Sequence, residues 1–195
     1  MKRGGILAAA ERLFLSLGYI GTTMDAVAIE AGVTKQTVYR YFPSKVSLFS
    51  ALIGHFDQND AEFSFRNEAF AEELRRYGVA FLLHHMQPRH LAFFRLMISE
   101  SRDSSELGDI FSEQAQPYWF GKLSAFLGGH VPEERCKGYA QLFNAMLLAK
   151  RTFLLMRAGE GMSEAEIRTH VELVLAVFLN GIELDDSKKS TIAHQ

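Results

Sequence analysis

The chain has 195 residues, 48% of them apolar, enough for one or two packed domains; only four prolines and no internal repeat or low-complexity tract argue against a linker-rich or repetitive protein. A formal net charge of −2 speaks against a nucleic-acid partner for the chain as a whole, yet residues 1–50 carry six basic side chains (Lys2, Arg3, Arg12, Lys35, Arg40, Lys45) against three acidic ones (Glu11, Asp25, Glu30), a basic head on an acidic remainder. Cys136 is the single cysteine, which excludes an internal disulfide and a cysteine-rich zinc site; the start of the chain does not read as a signal peptide, and no run of about 18 apolar residues offers a membrane span, so a cytoplasmic protein without membrane contact is expected.

In chain order, Ile6, Ala10, Leu13, Phe14 and Leu17 recur at helical spacing and Gly18 stops that helix. Thr22 or Thr23 can cap a second helix over 24–31, closed by Gly32, and Thr34 a third reaching about Tyr41. Pro43 blocks continuation, and Ser44 caps a fourth helix with Val46, Leu48, Phe49, Leu52, Ile53 and Phe56 as its apolar set. Further helices are expected at 66–86, 89–102, 105–114, 117–127, 133–158 and 164–180, with Pro88, Pro117 and Pro132 suited to first turns and a capping box from Ser163 to Glu166 opening the last. Nothing alternates as a strand does. The predicted fold class is all-α: a helix-turn-helix domain over 1–46, a helical bundle over 47–183 and a polar tail over 184–195.

Glu30-Ala31-Gly32-Val33-Thr34 joins two of the short helices. A helix-turn-helix needs a tight turn at that point, often with glycine. Ala28 and Ala31 are small enough for close approach, and Ile29, Val33 and Val38 are spaced to bury against the first helix. This leaves Lys35, Gln36, Tyr39 and Arg40 on the opposite face with Thr37 at its edge, the groups that reach phosphates and base edges. A glycine turn between two ordinary core helices would look much the same, so the particular residues have to decide. The stretch from Thr22-Thr23-Met24-Asp25 through Ala31-Gly32-Val33-Thr34 to Val38-Tyr39-Arg40-Tyr41-Phe42-Pro43-Ser44-Lys45 closely resembles the signature of the tetracycline-repressor (TetR) family, as do Ile6-Leu7-Ala8-Ala9-Ala10, Leu13-Phe14 and Gly18-Tyr19. The resemblance spans about residues 3–50. It implies that Thr23, Tyr39, Tyr41 and Lys45 hold phosphates, that Lys35, Gln36, Thr37 and Arg40 face major-groove bases, and that Val38 and Phe42 are core. Thr34, opening the recognition helix, completes the candidate set. The basic segment ahead of the first helix is only Lys2 and Arg3, shorter than is usual in the family.

The resemblance further implies a C-terminal domain that dimerises through its last two helices and binds a small molecule. Helix 164–180 carries Ile167, Val171, Val174, Leu175 and Phe178 on one stripe, with Leu173 and Val177 on another. A helix apolar around most of its circumference needs two partners, and the first stripe is the candidate dimer face, joined by part of 133–158. Candidate ligand residues are the aromatics, methionines and interspersed polar groups of the middle helices: His84, Phe93, Met97, Glu100, Phe111, Tyr118, Trp119, Phe143 and Met146. An ordinary core uses the same types. Adjacent His84 and His85 point about 100° apart and cannot share a metal. No catalytic motif, metal site or cofactor site is recognised, so the chain is not expected to be an enzyme. The expected function is a homodimeric repressor released from operator DNA by a small apolar or aromatic effector. The alternatives are a DNA-binding regulator governed by a protein partner or by nothing, and a helical small-molecule binder that no longer binds DNA.

Overall fold

The computed structural model describes residues 2–59, 63–114, 117–156 and 161–182. Among them every regular element is helical: α1 (Lys2–Gly21), α2 (Met24–Glu30), α3 (Lys35–Tyr41), α4 (Lys45–Asn59), α5 (Phe70–His85), α6 (Pro88–Glu100), α7 (Ser105–Gln114), α8 (Pro117–Leu127), α9 (Glu133–Leu147), a 3-10 turn (Leu148–Lys150), α10 (Arg151–Met156) and α11 (Glu164–Gly181). The all-α class stands. The chain forms two compact units, Met1–Asp60 with Ala92–Ala115, and Ala61–Leu91 with Gln116–Gln195. This division differs from a single cut after residue 46, because α4 and the stretch from Ala92 onward share a core with the first three helices. The polar tail expected at 184–195 lies outside the described residues.

In the first unit, Ile6, Leu7, Phe14, Val27, Val38, Phe42, Leu48, Phe49 and Leu52 form one core with Phe93, Met97, Leu107 and Ile110. Phe14 and Tyr19 both meet Phe49 edge-on, with centroids 5.0 and 5.1 Å apart. Two local expectations fail. Leu17 is 54% exposed, and Ile29 is 81% exposed where burial was expected. The reason at Ile29 is geometric: seven-residue α2 buries Met24, Val27 and Ala28, an i, i+3, i+4 set, and Ile29 lies about 100° beyond Ala28. Val33 does pack, partly buried, against this core.

In the second unit, α11 packs on α5 and α9, and α8 on α9. Gly78 lets α5 and α11 approach, since a Cβ there would stand 3.1 Å from Val171 and 3.3 Å from Leu147. Helix α5 begins at Phe70, four residues later than the periodicity suggests. The buried carboxylate of Glu73 explains this: it accepts from the backbone N–H groups of Arg66 and Glu68 and pairs with Arg76 at 2.6 Å, holding the preceding segment out of the helix. The helix expected over 133–158 breaks after Leu147, where His170 Nε2 donates to the carbonyls of Met146 and Leu147 at 3.2 and 3.0 Å.

Candidate nucleic-acid interface

The caps of the head helices are local. Thr23 Oγ1 accepts from Ala26 N at 3.1 Å and opens α2; Thr34 Oγ1 accepts from Thr37 N at 3.2 Å and opens α3. Between them Gly32 takes φ 64°, which glycine alone adopts readily, and Val33 N returns to Ala28 O at 3.0 Å. Val38 turns into the core, so Lys35, Gln36, Tyr39 and Arg40 are exposed, with Gln36 and Arg40 one turn apart. Lys35 is tied to Asp25 at 2.8 Å, and that hydrogen bond raises its pKa above the ordinary lysine value. The Arg40 guanidinium lies 5.3 Å from the Tyr41 ring centroid. Thr23 and Thr34 are thus N-caps, and the Thr37 hydroxyl lies 2.9 Å from that of Thr34. Lys45 is turned back: its ammonium donates to Tyr19 O at 2.9 Å and sits 4.4 Å from the Tyr19 ring centroid. Arg3 belongs to α1 and lies over the Phe42 ring at 5.4 Å. Of the two cap candidates, Thr23 takes the role, while Thr22 is buried with its hydroxyl donating to Gly18 O at 2.7 Å; Tyr19, read in the sequence only as part of the family signature, is buried beside Lys45.

Residues 6–52 match the family described as bacterial regulatory proteins of the tetR family, and residues 72–181 match the C-terminal domain of AefR-like transcriptional repressors, which together take in more than half of the chain. The chain belongs to the TetR family of DNA-binding transcriptional regulators. Its relatives include the transcriptional repressor BepR of Brucella suis, 25% identical over 91% of this chain and 78% of that protein. The transcriptional activator FasR of Mycolicibacterium smegmatis is 40% identical over 52 residues, which cover 27% of this chain and 24% of FasR. Among solved structures, the flavonoid-responsive regulator FrrA is 28% identical with a TM-score of 0.75, covering 92% of this chain and 95% of that one.

In this TetR-family chain the ligand residues expected from sequence are divided between two cores. Phe93 and Met97 are buried in the first unit, and Glu100 accepts from the backbone N–H of Ile20 at 2.8 Å, anchoring the end of α1. The Phe111 side chain lies outside the described residues. Trp119 and Phe143 are buried in the core of the second unit, with Tyr118 and Met146 packed against it. His84 is buried as well, its ring 4.2 Å from His90, 4.8 Å from His85 and 5.6 Å from Trp119. Burial, then repulsion from His84 and Arg89, pushes the His90 imidazole down to about 3; burial and His84 likewise hold His85 well below its ordinary value. Tyr77 donates to Trp119 O and Asn144 Oδ1 at 3.1 and 2.9 Å, whereas Trp119 Nε1 and Asn144 Nδ2 are buried without a hydrogen-bond partner among the described residues. A groove of about 370 Å³ lies elsewhere in this unit, lined by Phe63, Arg66, Arg75, Arg76, Leu83 and Arg168 among others, and none of the expected ligand residues borders it.

The expected dimer stripe is also corrected. Ile167, Val171, Val174, Leu175 and Phe178 are buried within the chain's own core, where Phe178 meets Phe143 with ring centroids 4.7 Å apart. The large apolar side chains that α11 leaves exposed are Leu173 (63%) and Val177 (57%); Leu142 on α9 and Phe153 and Met156 on α10 are exposed too. The longer stripe is the one that α11 packs on α5 and α9.

Proposed function

We propose that the protein is a homodimeric repressor that reads its operator through Lys35, Gln36, Thr37 and Arg40, holds phosphates through Thr23, Tyr39, Tyr41 and Lys45, and releases DNA on taking up a small aromatic molecule. The observation that carries the reading is the free face of α3, with the Gln36 amide and the Arg40 guanidinium one turn apart and unburied. These groups match the edges of adenine and guanine. Two copies related by a two-fold would set their recognition helices in successive major grooves, about 34–36 Å apart. The apolar side chains left exposed on α9, α10 and α11 support the second copy as the partner.

For the effector, support comes from the buried donors Trp119 Nε1 and Asn144 Nδ2 in an aromatic surround. A planar molecule bearing acceptor oxygens would satisfy them. The flavonoid response named for FrrA points to the same chemistry. Such a ligand must bind the DNA-competent and released states unequally. The test begins with selection of an operator from random duplexes. Gln36→Ala or Arg40→Ala should then cost about 1–3 kcal/mol per half-site and flatten base preference at the contacted positions. Equal weakening on operator and scrambled DNA would remove these residues from base reading. A flavonoid panel is then screened for operator release while Trp119, the single tryptophan, reports by fluorescence. Release without a change in Trp119 emission would place the effector away from that core.

A further inference from the structure

We infer that Glu100 is a positioning residue for DNA binding, acting through one peptide group on Lys45. The inference rests on DNA binding by the head and concerns only the first unit. Helix α1 breaks at Gly18, whose φ of 79° and ψ of 171° are non-helical. At that break a Cβ would stand 2.1 Å from Glu100 Oε1, so the carboxylate fills the place of the missing side chain. Its other oxygen accepts from Ile20 N at 2.8 Å. The carbonyl of that same peptide, Tyr19 O, accepts from Lys45 Nζ at 2.9 Å. Carboxylate, N–H, C=O and ammonium therefore form one continuous line through the Tyr19–Ile20 peptide. An anion at the N–H end and a cation at the C=O end polarise the peptide in the same sense, so each bond strengthens the other.

The surroundings fix this peptide further. The Tyr19 hydroxyl donates to Glu106 Oε2 at 2.9 Å, and Lys45 Nζ reaches Ile20 O at 3.5 Å. An ammonium has three donors. With two directed at the carbonyls of Tyr19 and Ile20, the third is left for a phosphate, in a direction set by the peptide and not by the lysine's own rotamers. Release of the peptide frees Lys45 to wander and the phosphate contact loses its preorganisation. Residues 92–114 thereby contribute to the DNA-binding apparatus although no side chain among them was singled out for it in the sequence.

The experiment measures binding of the full chain to a random-sequence duplex long enough for two half-sites, over a range of salt concentrations. Wild-type binding must weaken with salt; if it does not bind at all, the DNA-binding reading itself fails. Glu100→Ala should weaken binding several-fold at low salt and reduce the slope of log affinity on log salt by about 0.9 per subunit, the signature of one lost phosphate contact. Lys45→Ala should do the same, and the double variant should be no worse than Lys45→Ala, because both substitutions remove one contact. Glu100→Gln keeps an oxygen acceptor but no charge; it should fall between wild type and Glu100→Ala, with the Ile20 amide proton shifted upfield. If Glu100→Ala does not fold, Glu100→Gln decides by these two readouts. Wild-type slope in a folded Glu100→Ala, additive losses in the double variant, or wild-type affinity with an unmoved Ile20 amide in Glu100→Gln would each overturn the assignment.

Discussion

A single buried carboxylate illustrates how much one residue decides. Glu73 is fully buried and serves two masters: the N–H groups of Arg66 and Glu68 ahead of α5, and the Arg76 guanidinium one turn on. Removing it leaves backbone donors and a partly buried cation without their acceptor. Glu73→Ala should therefore destabilise the protein by on the order of 3 kcal/mol, with Glu73→Gln closer to wild type because an oxygen remains for the backbone. Urea denaturation measures both; a loss under about 1 kcal/mol in the alanine variant would mean that solvent replaces the cap. By contrast the exposed Lys35–Asp25 pair is of the kind worth little to stability. On the proposed reading its consequence is for binding, since a phosphate or base would compete with Asp25 for Lys35.

At the scale of the element, α11 shows what a periodic pattern leaves open. Its two apolar stripes are legible in the sequence, but which stripe meets the chain's own core is not. The structure assigns Val174 and Phe178 inward and Leu173 and Val177 outward. Leu173→Glu or Val177→Glu should give folded monomers, because a charge on an exposed position costs the single chain little and is left unpaired only in a dimer. Val174→Glu should unfold the second unit instead. Sedimentation velocity with circular dichroism separates the two outcomes, and a Val177→Glu protein that remains dimeric would move the interface off this face. The same limit applies to α2, where the short apolar run let Ile29 be read as core although its direction on a seven-residue helix points away.

For the molecule as a whole, the buried histidines make stability depend on pH. His85 and His90 are held neutral in the fold, with His90 pushed down to about 3 against an ordinary 6.5. The unfolded chain therefore binds protons from about pH 6.5 downward that the folded chain refuses. Stability is full above roughly pH 7 and falls on acidification through the window between those values, by about 1.4 kcal/mol per pH unit for each histidine. The groups facing them, His84, Arg89 and Arg151, add to the penalty when charged. The melting temperature should drop between pH 7 and pH 5, and His90→Gln should flatten the profile. A melting temperature independent of pH across that range would show that the imidazoles reach solvent.

The sequence by itself determined what near neighbours along the chain decide. Helix starts followed from side chains that bond amides three residues on, at Thr23, Thr34, Ser44 and Ser163, and the turn at Gly32 followed from a positive φ. The exposed face of α3 followed in turn, because on a short capped helix the burial of Val38 fixes where Gln36 and Arg40 point. Tertiary structure alone decided the partners that lie far apart in the chain. Glu100 meets Ile20 across 80 residues, Tyr19 meets Glu106 across 87, and residues 92–114 return to the head instead of joining the bundle. Periodicity specifies that a face must be covered, since apolar surface leaves water wherever it can. It is indifferent to which element does the covering, and that choice is made by the packing of whole helices against one another.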